Sequence, residues 1–562
     1  MADRSWLMGI GLLLMGCTDP TPSSNGEIES VPGVEDGNFD PNHIVQIELE
    51  MDQSDWDSLR METQNFVTAF RGDCRDGPIG MDYTEFEASI SMDGSELSPI
   101  RIRKKGLLGS QDTAKPSFSI NLDEYIDGAE LFGLDNLTLN NATQDESLIR
   151  QCLAYTLFED AGLPAPRCNF ARVSMNGDDL GIYAHVEPVR KSFLRDNFGN
   201  DEGDLYEGTV SDFVDGWYQT FDPDSDETDT DMEVVQELSA ALADSSGPIL
   251  DVLAPYVDVD QFLRFWAMET LTGHWDGYAG NRNNYFVYRN PNTDLFSFIP
   301  WGADATFVLY DDRNADAWIP ASSTLAGRIA SDDAGLAAFE SVLDELLETV
   351  WDEARILDEI DRMEDLLATE IDIDDVEDGI DNVRDYVDAR RESVADAWPP
   401  ESTTNNETYC LDEIGTISAS FSTDWGSTET AWDWTSAGAL DMVLDWDGYV
   451  VAPEVGGVVS GEEDGDLGAL AMYVLFVPEE QGYLLPYIVF DPDGITEGEE
   501  ADFDRATIVG NFFYTDESMG GHFGQAAYMG GGTLQFDSLD MGSGGTVSGT
   551  LESYIYNWVE TE

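Results

Sequence analysis

The stretch His274-Trp275-Asp276-Gly277-Tyr278-Ala279-Gly280-Asn281 follows directly on a run, Val257 to Leu271, whose apolar residues recur at helical spacing. It sets an acid and an amide five residues apart, with a histidine two residues ahead of the acid, in a loop punctuated by glycine. Asn283-Asn284-Tyr285-Phe286-Val287-Tyr288 then reads as a strand. A second apolar strand, Phe296-Ser297-Phe298-Ile299-Pro300-Trp301, runs through Gly302-Ala303 into another acid, Asp304.

Outward from this segment, the flanks divide by type. From Ile44 to Leu122 short alternating runs such as Ile44-Val45-Gln46-Ile47-Glu48-Leu49 and Ile100-Arg101-Ile102-Arg103 predict strands, and folding is expected to begin near Ile44. Ser147 to Gly162 predicts a helix capped by Ser147 and stopped by Gly162, after which strands resume at Ala171–Met175 and Ile182–Glu187. Leu336 to about Trp398 returns to helical spacing. Residues 399–407, beginning Pro399-Pro400, read as a linker, and 408–562 change character to short, Gly- and aromatic-rich strands with turns such as Asp447-Gly448 and Asp493-Gly494. The fold class is therefore α+β: a strand-rich first lobe, a helical second lobe, then an antiparallel β sandwich or barrel. Gly415-Thr416-Ile417-Ser418 and Gly545-Thr546-Val547-Ser548 echo each other and are read as similar edge strands.

Composition narrows the function classes. A chain of 562 residues with 26 Lys+Arg against 114 Asp+Glu carries a formal charge of -88, which repels nucleic acid and excludes polyanionic partners. Every lysine falls in one region, at Lys104, Lys105, Lys115 and Lys191, and a compact ammonium suits a phosphate grip. Phe221–Asp231 is an acidic loop whose alternate carboxylates are a candidate Ca²⁺ site, without the Gly and terminal Glu offsets of an EF-hand. Arg4, the apolar run Trp6 to Met15 and Gly16-Cys17 read as a secretory signal (1–17) too short to span a bilayer, followed by a tether over 18–42. Leu14-Met15-Gly16-Cys17 resembles a bacterial lipobox, which implies lipidation at Cys17 and anchoring on the periplasmic or cell-surface side. Cys74, Cys152, Cys168 and Cys410 remain, enough for two disulfides of open pairing in an oxidising compartment.

Moving phosphate from a nucleotide needs a cation on the phosphates, carboxylate or amide ligands for Mg²⁺ and a carboxylate near the acceptor hydroxyl. The chain supplies candidates in that order: Arg103-Lys104-Lys105-Gly106, a loop to Ser110, Lys115 opening the next strand, then Asp276 with Asn281, then Asp304. His274 receives only a positioning role.

Together with Leu131-Phe132-Gly133-Leu134-Asp135-Asn136-Leu137-Thr138-Leu139-Asn140, Gly181-Ile182-Tyr183-Ala184-His185-Val186-Glu187 and Ile299-Pro300-Trp301, these segments resemble the CotH spore-coat kinase family, over about 44–310 with extension to 398. The resemblance implies an atypical kinase core over 43–398 that transfers the γ-phosphate of ATP, with Mg²⁺ or Mn²⁺, to Ser or Thr of an exported protein. It implies Asp276 and Lys115 as catalytic residues, with Lys115 and Lys105 on the nucleotide phosphates, Glu187 at the hinge near the adenine, Asp276 facing the acceptor or the metal, and Asn281 and Asp304 on the metal. Two positions depart: relatives often read Trp-Asp-x-Asp where this chain has Trp301-Gly302-Ala303-Asp304, and Gln151 stands where relatives often carry Glu. The alternative is an inactive surface lipoprotein that binds through residues 408–562.

Overall fold

The computed structural model describes residues 39–558, apart from 64–65, 73, 80–82, 108–109, 215, 225–227, 229–231, 245–246, 309–317, 403–409, 427–437, 447, 452–455, 463–466, 477–481, 491, 493–494, 504–507 and 517–523. The signal and Cys17, most of the tether, most of the acidic loop and linker, and the turn residues Asp447, Asp493 and Gly494 lie outside the described residues.

The first lobe is a closed seven-stranded barrel. Its strands are β1 (Ile44–Glu50), β2 (Phe86–Met92), β3 (Ser95–Lys105), β4 (Ser117–Asn121), β5 (Asn136–Asn140), β6 (Cys168–Met175) and β7 (Asp178–Val186), in spatial order β1-β2-β3-β4-β5-β7-β6. Alternation turns Val45, Ile47, Leu49, Ile100, Ile102, Phe118, Ile120, Leu137 and Leu139 inward to one core. Closure comes from a parallel pairing of β1 with β6, Ile44 opposite Phe170 through Leu49 opposite Met175.

The helix expected from Ser147 begins at Arg150 and ends at Asp160. Ser147 is not its cap; it sits in a turn where Asp145 Oδ2 accepts from the Arg150 amide at 2.8 Å and Ser147 Oγ from the Ile149 amide at 3.3 Å. An acid two residues earlier reaches the first helical N–H better than the hydroxyl does. Gly162 follows the helix in the left-handed region at φ 77°, as its position predicts. A disulfide, Cys152–Cys168, staples this helix to the start of β6.

The second lobe holds a four-stranded sheet, β8 (Asp204–Gly208), β9 (Phe221–Pro223), β10 (Tyr285–Asn290) and β11 (Leu295–Pro300), in order β11-β10-β8-β9. Behind it lies the helix Val259–Thr272, capped by the Asp258 carboxylate on the Gln261 amide, with helices Thr324–Ala330, Asp333–Thr349, Glu353–Leu367 and Glu377–Ala397 around it. No helix among the described residues is long and apolar enough to cross a membrane.

Beyond these helices one antiparallel sheet forms the C-terminal region. Its strands are β12 (Leu411–Asp424), β13 (Ala439–Trp446), β14 (Tyr449–Val451), β15 (Gly456–Glu462), β16 (Gly468–Phe476), β17 (Gly482–Phe490), β18 (Glu500–Asp502), β19 (Ile508–Asp516), β20 (Gly524–Leu539) and β21 (Thr546–Trp558). The order is β14-β13-β12-β21-β20-β19-β17-β16-β15, with β18 on β20, and a bridge between Gly438 and Val458 draws the two ends together in a barrel-like curl. The echoing segments are not at edges: one lies on β12 and the other opens β21, adjacent inner strands paired from Leu411 opposite Trp558 to Asp424 opposite Thr546.

This sheet is seated on the first lobe. Cys74 is bonded to Cys410, Arg71 bridges to Leu411, and Phe66 and Phe70, on the short helix Phe66–Phe70, meet the Trp558 ring at 5.7 and 6.2 Å. Val67, Phe70, Ile79, Val210, Leu411 and Tyr556 bury a small apolar core in the seam.

Candidate active site

The loop after the helix Val259–Thr272 is built to hold one carboxylate. Gly273 ends the helix in the left-handed region at φ 66°. Buried Glu269 then accepts the amides of Tyr278 at 2.7 Å and Ala279 at 2.9 Å, which folds the loop back on the helix. Gly277 passes so close to Glu269 that a Cβ would sit 2.9 Å from its Cδ. Burial lifts the Glu269 carboxyl to about 8 against those two amides, so it stands neutral below that pH. Asp276 is thereby fixed inside a ring of amides: Asn281 Nδ2 donates at 2.7 Å, Asn284 Nδ2 at 2.7 Å and Asn283 Nδ2 at 3.3 Å. Arg282 and Asn284 both occupy the left-handed region, at φ 59° and 51°, and such backbone conformations persist where the surroundings over-determine them.

His274 Nε2 lies 3.0 Å from the Trp301 carbonyl, so that nitrogen donates. Burial pushes the imidazole down to about 4 and keeps it neutral. It therefore pins the Asp276 loop to the end of β11. There Gly302 takes φ 49°, with its would-be Cβ 2.6 Å from Asn284 Cγ, and the chain turns to present Asp304. Burial lifts the Asp304 carboxyl to about 6; Asp145 and Asp276 push the same way and Lys105 opposes them.

Lys105, at the end of β3, reaches this point from the other lobe. Its ammonium donates to Asn140 Oδ1 at 3.0 Å and lies 5.0 Å from the Trp301 ring centre. Burial lowers its pKa, and Glu207 and Asp304 are the acids that oppose the shift; burial raises the Glu207 carboxyl. Asn140 passes the contact on, its Nδ2 donating to Gln151 Oε1 at 2.8 Å, and Gln151 Nε2 donates to the Tyr155 hydroxyl at 3.2 Å. That hydroxyl faces the backbone N–H groups of Gly302 and Ala303.

Lys105, Asp276, Asn281 and Asp304 thus line one cavity of about 540 Å³, together with Arg103, Ser110, Ser117, Glu207, Trp275 and, from the C-terminal sheet, Trp558. Two expected members stand apart. The Lys115 ammonium sits 5.1 Å from the Tyr183 ring centre, with Asp112 and Asp145 as its charge partners, outside the cavity. Glu187 is buried and gripped by Arg167, whose Nη2 and Nε donate to it at 2.6 and 2.9 Å, and it does not line the cavity either. In the acidic loop, Asp222 and Pro223 belong to β9 and Asp224 pairs with Arg190 at 2.6 Å. Among the described residues no group of three or more His, Cys, Asp or Glu forms a metal cage. Asp304 and Asp276 with the neighbouring amides still suit Mg²⁺, which binds through one or two carboxylates and takes its other ligands from water and phosphate.

Sequence reading missed Asn140, Gln151 as a cavity link, Asn283, Asn284 and Glu207. The three asparagines lay inside quoted motifs, and paired Asn-Asn dipeptides at 140–141 and 283–284 were a visible signal; Glu207 offered none.

The chain belongs to the CotH family, whose model, described as CotH kinase protein, matches residues 102–394. It is 27% identical over 238 residues to the Inner spore coat protein H of Bacillus subtilis (strain 168), covering 39% of this chain and 64% of that one. It is 26% identical over 294 residues to Invasin CotH2 of Rhizopus delemar (strain RA 99-880), covering 48% and 45% respectively. The chain therefore spans less than two thirds of the length of these curated relatives. Among solved structures, the Helicobacter pylori proinflammatory kinase CtkA matches at 12% identity with a TM-score of 0.24, over 51% of this chain and 94% of that one, a likeness too slight to bear on the fold.

Proposed function

We propose that the protein is a kinase that uses ATP with Mg²⁺ or Mn²⁺ to phosphorylate Ser or Thr of exported or surface proteins. The observation that carries this reading is the meeting of Lys105 with Asp304, Asp276 and Asn281 on one cavity, contributed by both lobes. Lys105, one of the two lysines expected there, holds the nucleotide phosphates. Asp304 and Asn281 hold the metal, which supplies charge neutralisation at the transferring phosphate. Asp276 faces the acceptor hydroxyl. The relatives' names, a spore-coat protein and an invasin, support an exported setting, and Cys17 is the proposed lipid anchor there.

The test is autophosphorylation by the chain lacking its first 17 residues. Asp276→Ala and Asp304→Ala are each expected to abolish Mg²⁺-dependent incorporation of γ-phosphate; incorporation surviving both changes overturns the assignment. Gly302, in place of an acid, is the observation that favours the second reading, an inactive binding lipoprotein. That reading predicts no thermal stabilisation by ATP with either metal, whereas a ligand present at 100 times its Kd stabilises by about 2.7 kcal/mol.

A further inference from the structure

The phosphate-gripping lysine of an ordinary protein kinase is held by an ion pair with a glutamate of the helix beside it. Here the corresponding helix, Arg150–Asp160, offers Gln151, and its partner on β5 is Asn140; neither carries charge. The ammonium comes instead from β3, two strands away in the barrel order, and lands on Asn140. Each group in the resulting chain donates to the next: Lys105 Nζ to Asn140 Oδ1, Asn140 Nδ2 to Gln151 Oε1, Gln151 Nε2 to Tyr155 Oη. The last member faces the backbone N–H groups of Gly302 and Ala303, the two residues that precede Asp304. Gln151 and Tyr155 are almost wholly buried, and the helix packs directly on the turn that presents Asp304.

We propose that Asn140, Gln151 and Tyr155 are positioning residues that replace the lysine–glutamate ion pair with a neutral hydrogen-bond relay, coupling the placement of Lys105 to that of Asp304. The proposal rests on the kinase reading of the cavity and says how that site is aligned. An uncharged relay fits this location. Asp145, Asp276 and Glu207 already place carboxylates near Asp304 and Lys105, and a further glutamate would have to ionise among them while buried. The relay is directional, since an amide both accepts and donates. Gln151→Glu keeps the acceptor for Asn140 and loses the donor to Tyr155; Gln151→Leu loses both.

The test measures binding of a non-hydrolysable ATP analogue with Mg²⁺ by calorimetry, alongside kcat and KM for ATP and the melting temperature. In the full chain Gln151→Leu is expected to weaken analogue binding at least tenfold and to raise KM, and Gln151→Glu to weaken it less. Lys105→Met should lose binding. Loss of binding by Gln151→Leu at an unchanged melting temperature, with partial retention by Gln151→Glu, is a pattern that a merely structural role would not give. If the unaltered protein does not bind the analogue, the kinase reading fails and this proposal with it. If it binds, while Gln151→Leu binds equally well or loses binding only in proportion to a lowered melting temperature, the relay is refuted and the kinase reading stands.

Discussion

Replacing Gly302 by Asp would restore the acid that relatives often carry, and the structure predicts harm rather than gain. Gly302 sits at φ 49°, where an L-residue costs about 1–2 kcal/mol, with Asp toward the low end. Its new Cβ would also stand 2.6 Å from Asn284 Cγ and 3.1 Å from Asn284 Cβ, so the Asn284 side chain must leave. That side chain donates to Asp276 Oδ2 at 2.7 Å and to the Asp276 carbonyl at 3.3 Å, and losing a hydrogen bond to a charged group costs about 1.5–3 kcal/mol. The sum, roughly 2.5–5 kcal/mol, corresponds to a melting temperature lower by roughly 5–20 °C at the sensitivity of mid-sized domains. Gly302→Ala has the same Cβ without the carboxylate and is the control; both variants should melt early and bind Mg²⁺ with an ATP analogue more weakly than the unaltered protein. A Gly302→Asp protein that melts normally and binds Mg²⁺ more tightly would refute the reasoning. It would show that the glycine is simply a lost metal ligand.

Three further outcomes follow from the same geometry. Cys152→Ser with Cys168→Ser opens a 16-residue loop and should lower stability by about 3 kcal/mol, read by urea unfolding of oxidised protein; an unchanged midpoint contradicts the staple. Burial holds His274 down at about 4 against 6.5 for an ordinary histidine, so its contribution is complete above pH 6.5 and lost as pH falls through 4. The stability gap between the unaltered protein and His274→Gln should therefore narrow from pH 7 to pH 4, and a gap independent of pH argues against a neutral buried imidazole. Trp558→Ala removes ring contacts to Phe66, Phe70 and Tyr528, each about 0.5–1.5 kcal/mol, and should expose the seam to limited proteolysis once the disulfides are reduced; equal resistance in both proteins counts against the seam.

The spacing of Asp276 from Asn281 and the acid after β11 were readable because they are local. A loop between a helix and a strand, and the end of the following hairpin, stay neighbours whatever the rest of the chain does. Choosing between Lys105 and Lys115 was not local. Successive residues of β3 point to opposite faces, which sends the Lys104 ammonium to the Arg60 carbonyl and the Lys105 ammonium to Asn140, and the path of the loop to β4 decides where Lys115 falls. Glu187, set near the adenine by the family resemblance, is claimed by Arg167, twenty residues earlier, a pairing that local spacing does not show. Barrel closure through β1 and β6, the pairing of Cys74 with Cys410, and the inner places of β12 and β21 all join residues more than a hundred positions apart, where periodicity carries no information. The Ser147 cap failed for a smaller reason: Asp145 was the stronger acceptor within reach.

The bond between Cys74 and Cys410 makes a ring of the residues between them, and that ring encloses Lys105, Asp276 and Asp304. It can be sealed only once position 410 has been made, whereas Cys152 and Cys168, 16 residues apart, close a short loop. Trp558, which lines the same cavity, is made later still. A polypeptide cut short of Trp558 therefore leaves the cavity without this part of its wall.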